Sequence, residues 1–405
     1  MDNIAAQTNS NASTAVANEV SRLSGKLQAV ALPDELRVQA ENMLRRLQGL
    51  MSSGANYSLQ EYEIISKYID WITRIPFGKY TQDNLNLDNA KQQMDAKHYG
   101  LEEVKEHILE FIATKALREK AAQQNLQQNS AQQSHSDENI AASASKGNVN
   151  AIPHAYNQTP AEMAQPILCF VGVQGIGKTT MSRSIAESLG RGFTRISLGA
   201  FASVHELRGR NKGESGAEPG QIVKALISAG TMNPVILLDE IDKVSNAENL
   251  RADVMAALLE VLDPAQNKQF MDRYLDYPLD LSQVLFITTA NNLSGVTAAL
   301  LDRLEVVRFH SYSDEEKQVI AKNYLLPKVR ANTGISAEQL EIAEDVWPLM
   351  IRPLGFDPGI RQLERNLTQL ARKVAKMLVE GHTGKVVITQ DNFREFFPEQ
   401  IAVMS

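Results

Sequence analysis

The sequence predicts an α/β protein: a parallel sheet flanked by helices and built around a phosphate-binding loop, with a helical domain before it and a small helical domain after it. Three observations carry this. Between residues 166 and 311, short apolar runs alternate with amphipathic helical patterns, as strands joined by crossover helices do. Residues 172–179 read Gly-x-x-x-x-Gly-Lys-Thr and directly follow one of those runs. On either side, apolar residues recur mainly at helical spacing.

In chain order, residues 1–32 are rich in Asn, Ser, Ala and Thr and read as a flexible N-terminal arm with a short helix around Val20–Leu27. Residues 33–120 read as a helical domain. Leu36, Met43, Leu44, Leu47 and Leu50 mark a first helix, and Ile64, Ile65, Tyr68, Ile69 and Ile72 a second, stopped by Pro76. Val104, Ile108, Leu109, Ile112 and Leu117 mark a third. Residues 121–165 are dominated by Gln, Ser, Asn and Ala. With few large apolar side chains to offset ordering entropy, they read as a disordered linker in which His135 and His154 are solvated.

Residues 166–311 supply five candidate strands: Ile167–Val171, Arg195–Leu198, Val235–Leu238, Val284–Thr289 and Glu305–Phe309. Residues 312–405 read as the small helical domain. Its last helix carries Ile360, Leu363, Leu367, Leu370, Val374 and Leu378 on one stripe.

Composition narrows the function classes. Of 405 residues, 43% are hydrophobic and 22% charged, the balance of a globular chain. Lys and Arg total 41 against 48 Asp and Glu, a net charge of −7, so no nucleic acid partner is expected. The single cysteine, Cys169, lies in an apolar run and reads as a buried small hydrophobe. No apolar run reaches the roughly 20 residues of a membrane span, and the N-terminus lacks signal-peptide character, so the expected location is cytoplasmic.

The candidate nucleotide-binding residues are Gly172, Val173, Gln174, Gly175, Ile176, Gly177, Lys178, Thr179 and Thr180. Glycines let backbone N–H groups curl around phosphate oxygens, Lys178 reaches the β- and γ-phosphates of ATP, and Thr179 binds Mg²⁺. Val235–Leu238 is a buried-strand run ending in Asp239 and Glu240. At this distance from the phosphate loop, Asp239 reads as the second Mg²⁺ residue and Glu240 as the group that polarises the attacking water. Asn291 follows another strand and can orient that water, although from local sequence alone Asn291 and Asn292 form a turn. Arg303 stands just before a strand. It is an ordinary surface arginine unless it completes a neighbouring subunit's site.

The strings Leu238-Asp239-Glu240-Ile241-Asp242-Lys243, Ala257–Asn267 and Leu300–Val307 resemble the ATPase module of Lon proteases, within the AAA+ superfamily. The segments Tyr80–Leu85, His98–Glu102 and Gly359–Arg365 are similar to flanking parts of that module. The likeness covers about residues 33–118 and 166–395. It implies that Asn291 is the first sensor, that Arg303 is an arginine finger acting on the adjacent subunit's ATP, and that Arg361 is the second sensor. It also implies that His98 and Tyr99 border the adenine, and that the chain assembles as a homo-oligomer, a hexameric ring or spiral, to thread protein substrates.

Three departures qualify this expectation. The chain ends at Ser405, where the family's protease domain would begin, so no peptidase activity is expected from it. Glu214 and Ser215 fall where the family has an aromatic–aliphatic pair in its pore loop, and neither can grip an apolar chain as a ring does. Residues 121–165 are an insertion, and about 32 polar residues replace the large N-terminal domain. Three readings follow: a remodelling ATPase that can feed a separate protease, a nucleotide-dependent assembly or switch protein, or a truncated part of an ATP-dependent Lon protease.

Overall fold

The computed structural model describes residues 19–52, 59–140, 167–244, 248–351 and 359–397. Residues 1–18 of the expected arm, 141–165 of the expected linker and 398–405 lie outside the described residues.

The described residues begin with α1 (residues 19–28), α2 (Asp34–Ser52), α3 (Leu59–Ile72), α4 (Leu87–Lys97) and α5 (Glu102–Ile140). Strands β1 (Ile167–Val171), β2 (Phe193–Ser197) and β3 (Val235–Asp239) follow, then a hairpin of β4 (Phe270–Asp272) and β5 (Tyr277–Leu279), then β6 (Leu285–Ala290) and β7 (Leu304–Arg308). Between them run α6 (Lys178–Leu189), α7 (His205–Arg208), α8 (Gln221–Ala229), α9 (Glu248–Leu262) and α10 (Ala298–Leu301). The five main strands are all parallel, in the order β2-β3-β6-β1-β7. The expected α/β class holds. β6 inserts between β1 and β3, so the ends of these three strands share one edge of the sheet.

Both faces of the sheet are covered, and the period of two in β1 shows how. Ile167, Cys169 and Val171 share a core with Val20, Leu23 and Leu27 of α1, Leu36 and Leu47 of α2, and Ile69 of α3. Leu168 and Phe170 share a second core with Ala90 and Met94 of α4 and Ile108 and Ile112 of α5. The N-terminal helices therefore have no core apart from the sheet. Polar ties reinforce the union: Arg191 binds Asp83 through Nε and Nη2 (2.6 and 2.7 Å), and Lys115 Nζ lies 3.2 Å from the same carboxylate.

Two segments depart from the sequence reading. Residues 19–32 are not a flexible arm: the short helix expected around Val20–Leu27 forms, and Val20, Leu23 and Leu27 are at most 1% exposed, packed into the core. The disordered linker expected from 121 does not begin there, because α5 runs to Ile140. Its Ala, Gln, Leu and Glu are good helix formers, and propensity extends a helix already nucleated by the buried turn at Val104–Ile112.

The C-terminal part is a lid with its own core. It comprises α11 (Asp314–Ile320), a π-helical turn (Ala321–Leu325), α12 (Leu326–Thr333), β8 (Leu340–Ile342), α13 (Trp347–Ile351), α14 (Arg361–Val379), β9 (Val386–Ile388) and α15 (Phe393–Phe396). Ser313 and Glu316 form a reciprocal capping box at α11. Leu363, Leu367, Leu370 and Val374 of α14 pack on Trp347 and Leu326. The region is not purely helical, since β8 and β9 pair in parallel. No helix among the described residues is long and apolar enough to cross a membrane.

Candidate active site

A cleft of about 450 Å³ opens where the C-terminal ends of β1, β3 and β6 meet the lid and the α4–α5 junction. The loop after β1 forms its floor. Gly172, Gly175 and Gly177 have φ of 157°, 82° and 96°, and a Cβ on Gly172 would lie 2.6 Å from the carbonyl oxygen of Phe309. Only glycine follows this path, which leaves a cradle of backbone N–H groups ahead of α6. Ile176 is fully buried beneath the cradle, Val173 packs against the same core, and Thr180 Oγ1 donates to Gly177 O (2.8 Å).

Lys178 turns back across the loop. Its Nζ donates to the carbonyls of Gly172 and Val173 (the latter at 2.9 Å) and to Asn291 Oδ1 (3.2 Å). Burial lowers its pKa, opposed by the carboxylates of Asp239, Asp242 and Glu240. Asp239, 5% exposed, accepts from Thr289 Oγ1 on one oxygen and from Arg195 Nε (2.6 Å) on the other. Glu240 has φ 60°, the left-handed region that a residue with a Cβ enters at a cost of about 1–3 kcal/mol. Its N–H donates to Thr289 Oγ1 (3.0 Å), and Lys243 Nζ donates to its carboxylate (2.6 Å). The strained turn brings the Glu240 side chain to the cleft beside Asp239.

The lid closes the other side. Ile360 N–H donates to Gly175 O (3.1 Å), Arg361 Nη1 to Gln174 Oε1 (3.3 Å), and Tyr312 Oη to Ile176 O (3.0 Å). At the α4–α5 junction, His98 and Tyr99 line the cleft. His98 is 7% exposed and shares a 2.9 Å hydrogen bond with Ser184 Oγ. Burial, then the charges of Lys105 and Lys97, bring its pKa down to about 4, so the imidazole is neutral near pH 7.

The cleft thus gathers Gln174, Gly175, Gly177, Lys178, Thr179, Thr180, Asp239, Glu240, Asn291, Arg361, His98 and Tyr99. Arg303 is not among its lining residues. It is paired with Asp263 and 38% exposed. Sequence reasoning missed Thr289, which joins Asp239 to Glu240, and Asp242, whose Oδ2 accepts from Asn291 N–H (3.1 Å). It also missed Arg195 and the lid residues Tyr312 and Tyr324. These partners lie dozens of residues apart, and no local pattern announces them.

The donor set fits a nucleoside triphosphate: a glycine cradle ahead of a helix, and Lys178 and Arg361 facing one cleft. For a divalent cation, Thr179 and Asp239 suit a site completed by phosphate and water oxygens. Among the described residues, no three His, Cys, Asp or Glu side chains form a metal cage.

Residues 168–312 match the model of the ATPase family associated with various cellular activities (AAA), and residues 331–387 match that of the Lon protease AAA+ ATPase lid domain. The chain carries the ATPase and lid module of the Lon family. Lon protease 2 of Thermus thermophilus is 39% identical over 378 residues, covering 93% of this chain and 42% of that protein. Lon proteases of Lawsonia intracellularis and Bacillus subtilis (Lon protease 1) are 38% and 37% identical, covering 93% and 95% of this chain and 40% and 43% of their own lengths. The chain therefore spans about two-fifths of these relatives. It is a Lon-type AAA+ module, and that class of domain binds and hydrolyses ATP.

Proposed function

We propose that this chain binds ATP with Mg²⁺ in the cleft and hydrolyses it within a homo-oligomer, a hexameric ring or spiral, to remodel a protein partner. One observation carries this: six groups suited to phosphate chemistry (Lys178, Thr179, Asp239, Glu240, Asn291 and Arg361) face one cleft, while Arg303 stands outside it at 38% exposure. Loop N–H groups and Lys178 hold the phosphates. Thr179 and Asp239 would hold the cation, which would neutralise phosphate charge. Glu240 accepts a proton from the attacking water, and Asn291 orients that water. Arg361 draws the lid onto the γ-phosphate. Arg303 acts on the nucleotide of the adjacent copy, where a guanidinium stabilises charge developing in the transition state. His98 and Tyr99 border the base.

Peptide cleavage is not assigned to these residues. A second reading, nucleotide-controlled assembly without threading, is favoured by one observation. Glu214 and Ser215 are exposed on the loop after Gly209, and Glu214 accepts from Asn211 Nδ2 (2.7 Å). The test measures ATP turnover with and without an unfolded protein, alongside native mass. Assembly with stimulated turnover supports remodelling, and assembly without stimulation supports the second reading. A monomer with full turnover overturns both.

A further inference from the structure

Arg303 connects α10 to β7, and its side chain folds back rather than hanging free. Nη1 donates to Ala299 O (2.9 Å) and Nη2 to Asp263 Oδ2 (2.9 Å). Asp263 is itself fixed. It stands one residue beyond α9, and its N–H donates to Leu259 O (2.9 Å). Its Oδ1 accepts from Ala265 N–H (2.9 Å), and its Oδ2 also accepts from Gln266 Nε2 (3.2 Å). α9 is anchored in turn by the buried Val254, Leu258, Val261 and Leu262. The guanidinium is thus referenced, through one carboxylate, to the core of the subunit. The Ala265 N–H foremost, and then Arg303, hold the Asp263 carboxyl below its ordinary value, so it stays charged near neutral pH.

From this geometry we infer that Asp263 is a positioning residue for Arg303: it presents a pre-oriented guanidinium at the subunit edge for the nucleotide of an adjacent copy. This rests on the reading of Arg303 as a group acting across the boundary. A guanidinium has five N–H donors, and the two bonds named leave three for phosphate oxygens. An unrestrained arginine loses rotamer entropy when it is fixed on a partner. Here Asp263 and Ala299 have already restricted it before the copies meet. The opposite arrangement, with Asp263 sequestering Arg303 until it is displaced, predicts a rate change of the opposite sign.

The test uses Asp263→Asn in the full chain. Asparagine still accepts from Ala265 N–H through its one carbonyl oxygen, so the turn survives while the acceptor for Arg303 is lost. Turnover is expected to fall about tenfold, as for a modestly misplaced catalytic group. Affinity for a fluorescent ATP analogue and native mass stay unchanged. Mixed assemblies identify which site is impaired. Copies carrying Lys178→Ala have intact fingers, so mixing them with Asp263→Asn restores turnover, as it does with Arg303→Ala. The double variant Asp263→Asn/Lys178→Ala fails to restore Arg303→Ala. Asp263→Ser, which also keeps an acceptor for the turn, gives the same pattern if Asp263→Asn does not assemble.

Wild-type or raised turnover in Asp263→Asn, with Arg303→Ala impaired, overturns the inference alone. So does a loss that mixing does not restore. Wild-type turnover in Arg303→Ala overturns the in-trans reading beneath it, and the inference with it.

Discussion

Gly359→Ala is expected to uncouple the lid from the phosphate loop. A Cβ there would lie 2.4 Å from Gln174 O and 2.9 Å from the carbonyl carbon of Gly175. Ordinary contact begins near 3.4 Å, so the two backbones must part by about 1 Å. That movement weakens the bond from Ile360 N–H to Gly175 O and carries Arg361 away from Gln174. A catalytic group misplaced by 1 Å loses on the order of 100-fold in rate. Turnover should therefore fall about 100-fold. Unfolding stability should change little, because lid and sheet have separate cores, bridged by Tyr312 alone among the described side chains packed against both. Steady-state ATP hydrolysis and chemical denaturation are read together. Gly25→Ala in α1 is the control: nothing lies within 4 Å of its Cβ, and it should gain about 0.5–1 kcal/mol of stability. Turnover of Gly359→Ala within threefold of the parent would show that this lid contact is not made during catalysis.

Three further outcomes are expected. Glu240→Gln should retain ATP in a filter-binding assay while turnover falls about 10²–10⁴-fold, and unchanged turnover would remove Glu240 from its role. Burial pushes the Asp272 carboxyl up to about 6, against the pull of the N–H groups of Gly220, Leu275 and Tyr274. The folded state thus binds this proton more tightly than the unfolded state, and the stability so gained is complete below about pH 4 and lost as pH rises through 6. Asp272→Asn should remove that dependence, so denaturation curves of the two proteins should converge or diverge by roughly 3 kcal/mol between pH 4 and 7. A constant difference would contradict the assignment. Arg195→Ala frees one oxygen of Asp239. The Mg²⁺ needed for half-maximal binding of an ATP analogue should fall by up to about fivefold, the worth of a half-exposed ion pair. No change in the titration would mean that the pair does not compete with the cation.

Legibility in the sequence followed burial. β1 and β3 are buried along their whole length and read as apolar runs, β3 ending in Asp239. The sequence pattern starts β2 two residues late because Phe193 and Thr194, on an edge strand, are only partly covered. α4 went unread because only Ala90 and Met94 of its eleven residues are buried, too few to set a period. The helix of α1 is legible around Val20–Leu27, but its docking on the sheet is not, because the polar stretch before it sets the reading of the whole segment. The phosphate loop was legible because its chemistry is contiguous. Thr289 and Asp242 were not, since their roles exist only once β3 and β6 are neighbours. The tie between Arg303 and Asp263 spans 40 residues, and nothing in either local string points to the other.

The loop between Gly209 and Gly220 has an unexpected support. Lys67 of α3 donates to Ala217 O (3.0 Å), and Lys212 Nζ sits 4.1 Å from the ring centre of Tyr68. Tyr68 Oη donates to Leu275 O (3.0 Å) in the β4–β5 hairpin, and Asp272 accepts from Gly220 N–H (2.7 Å). Loop, hairpin and α3 are thereby strapped into one lever. Because Ile69 of α3 shares the core of β1, a displacement of the loop tip would be felt by the helix and the sheet together. Removing the tie at Lys67 would loosen the loop from α3 without touching a residue that lines the cleft.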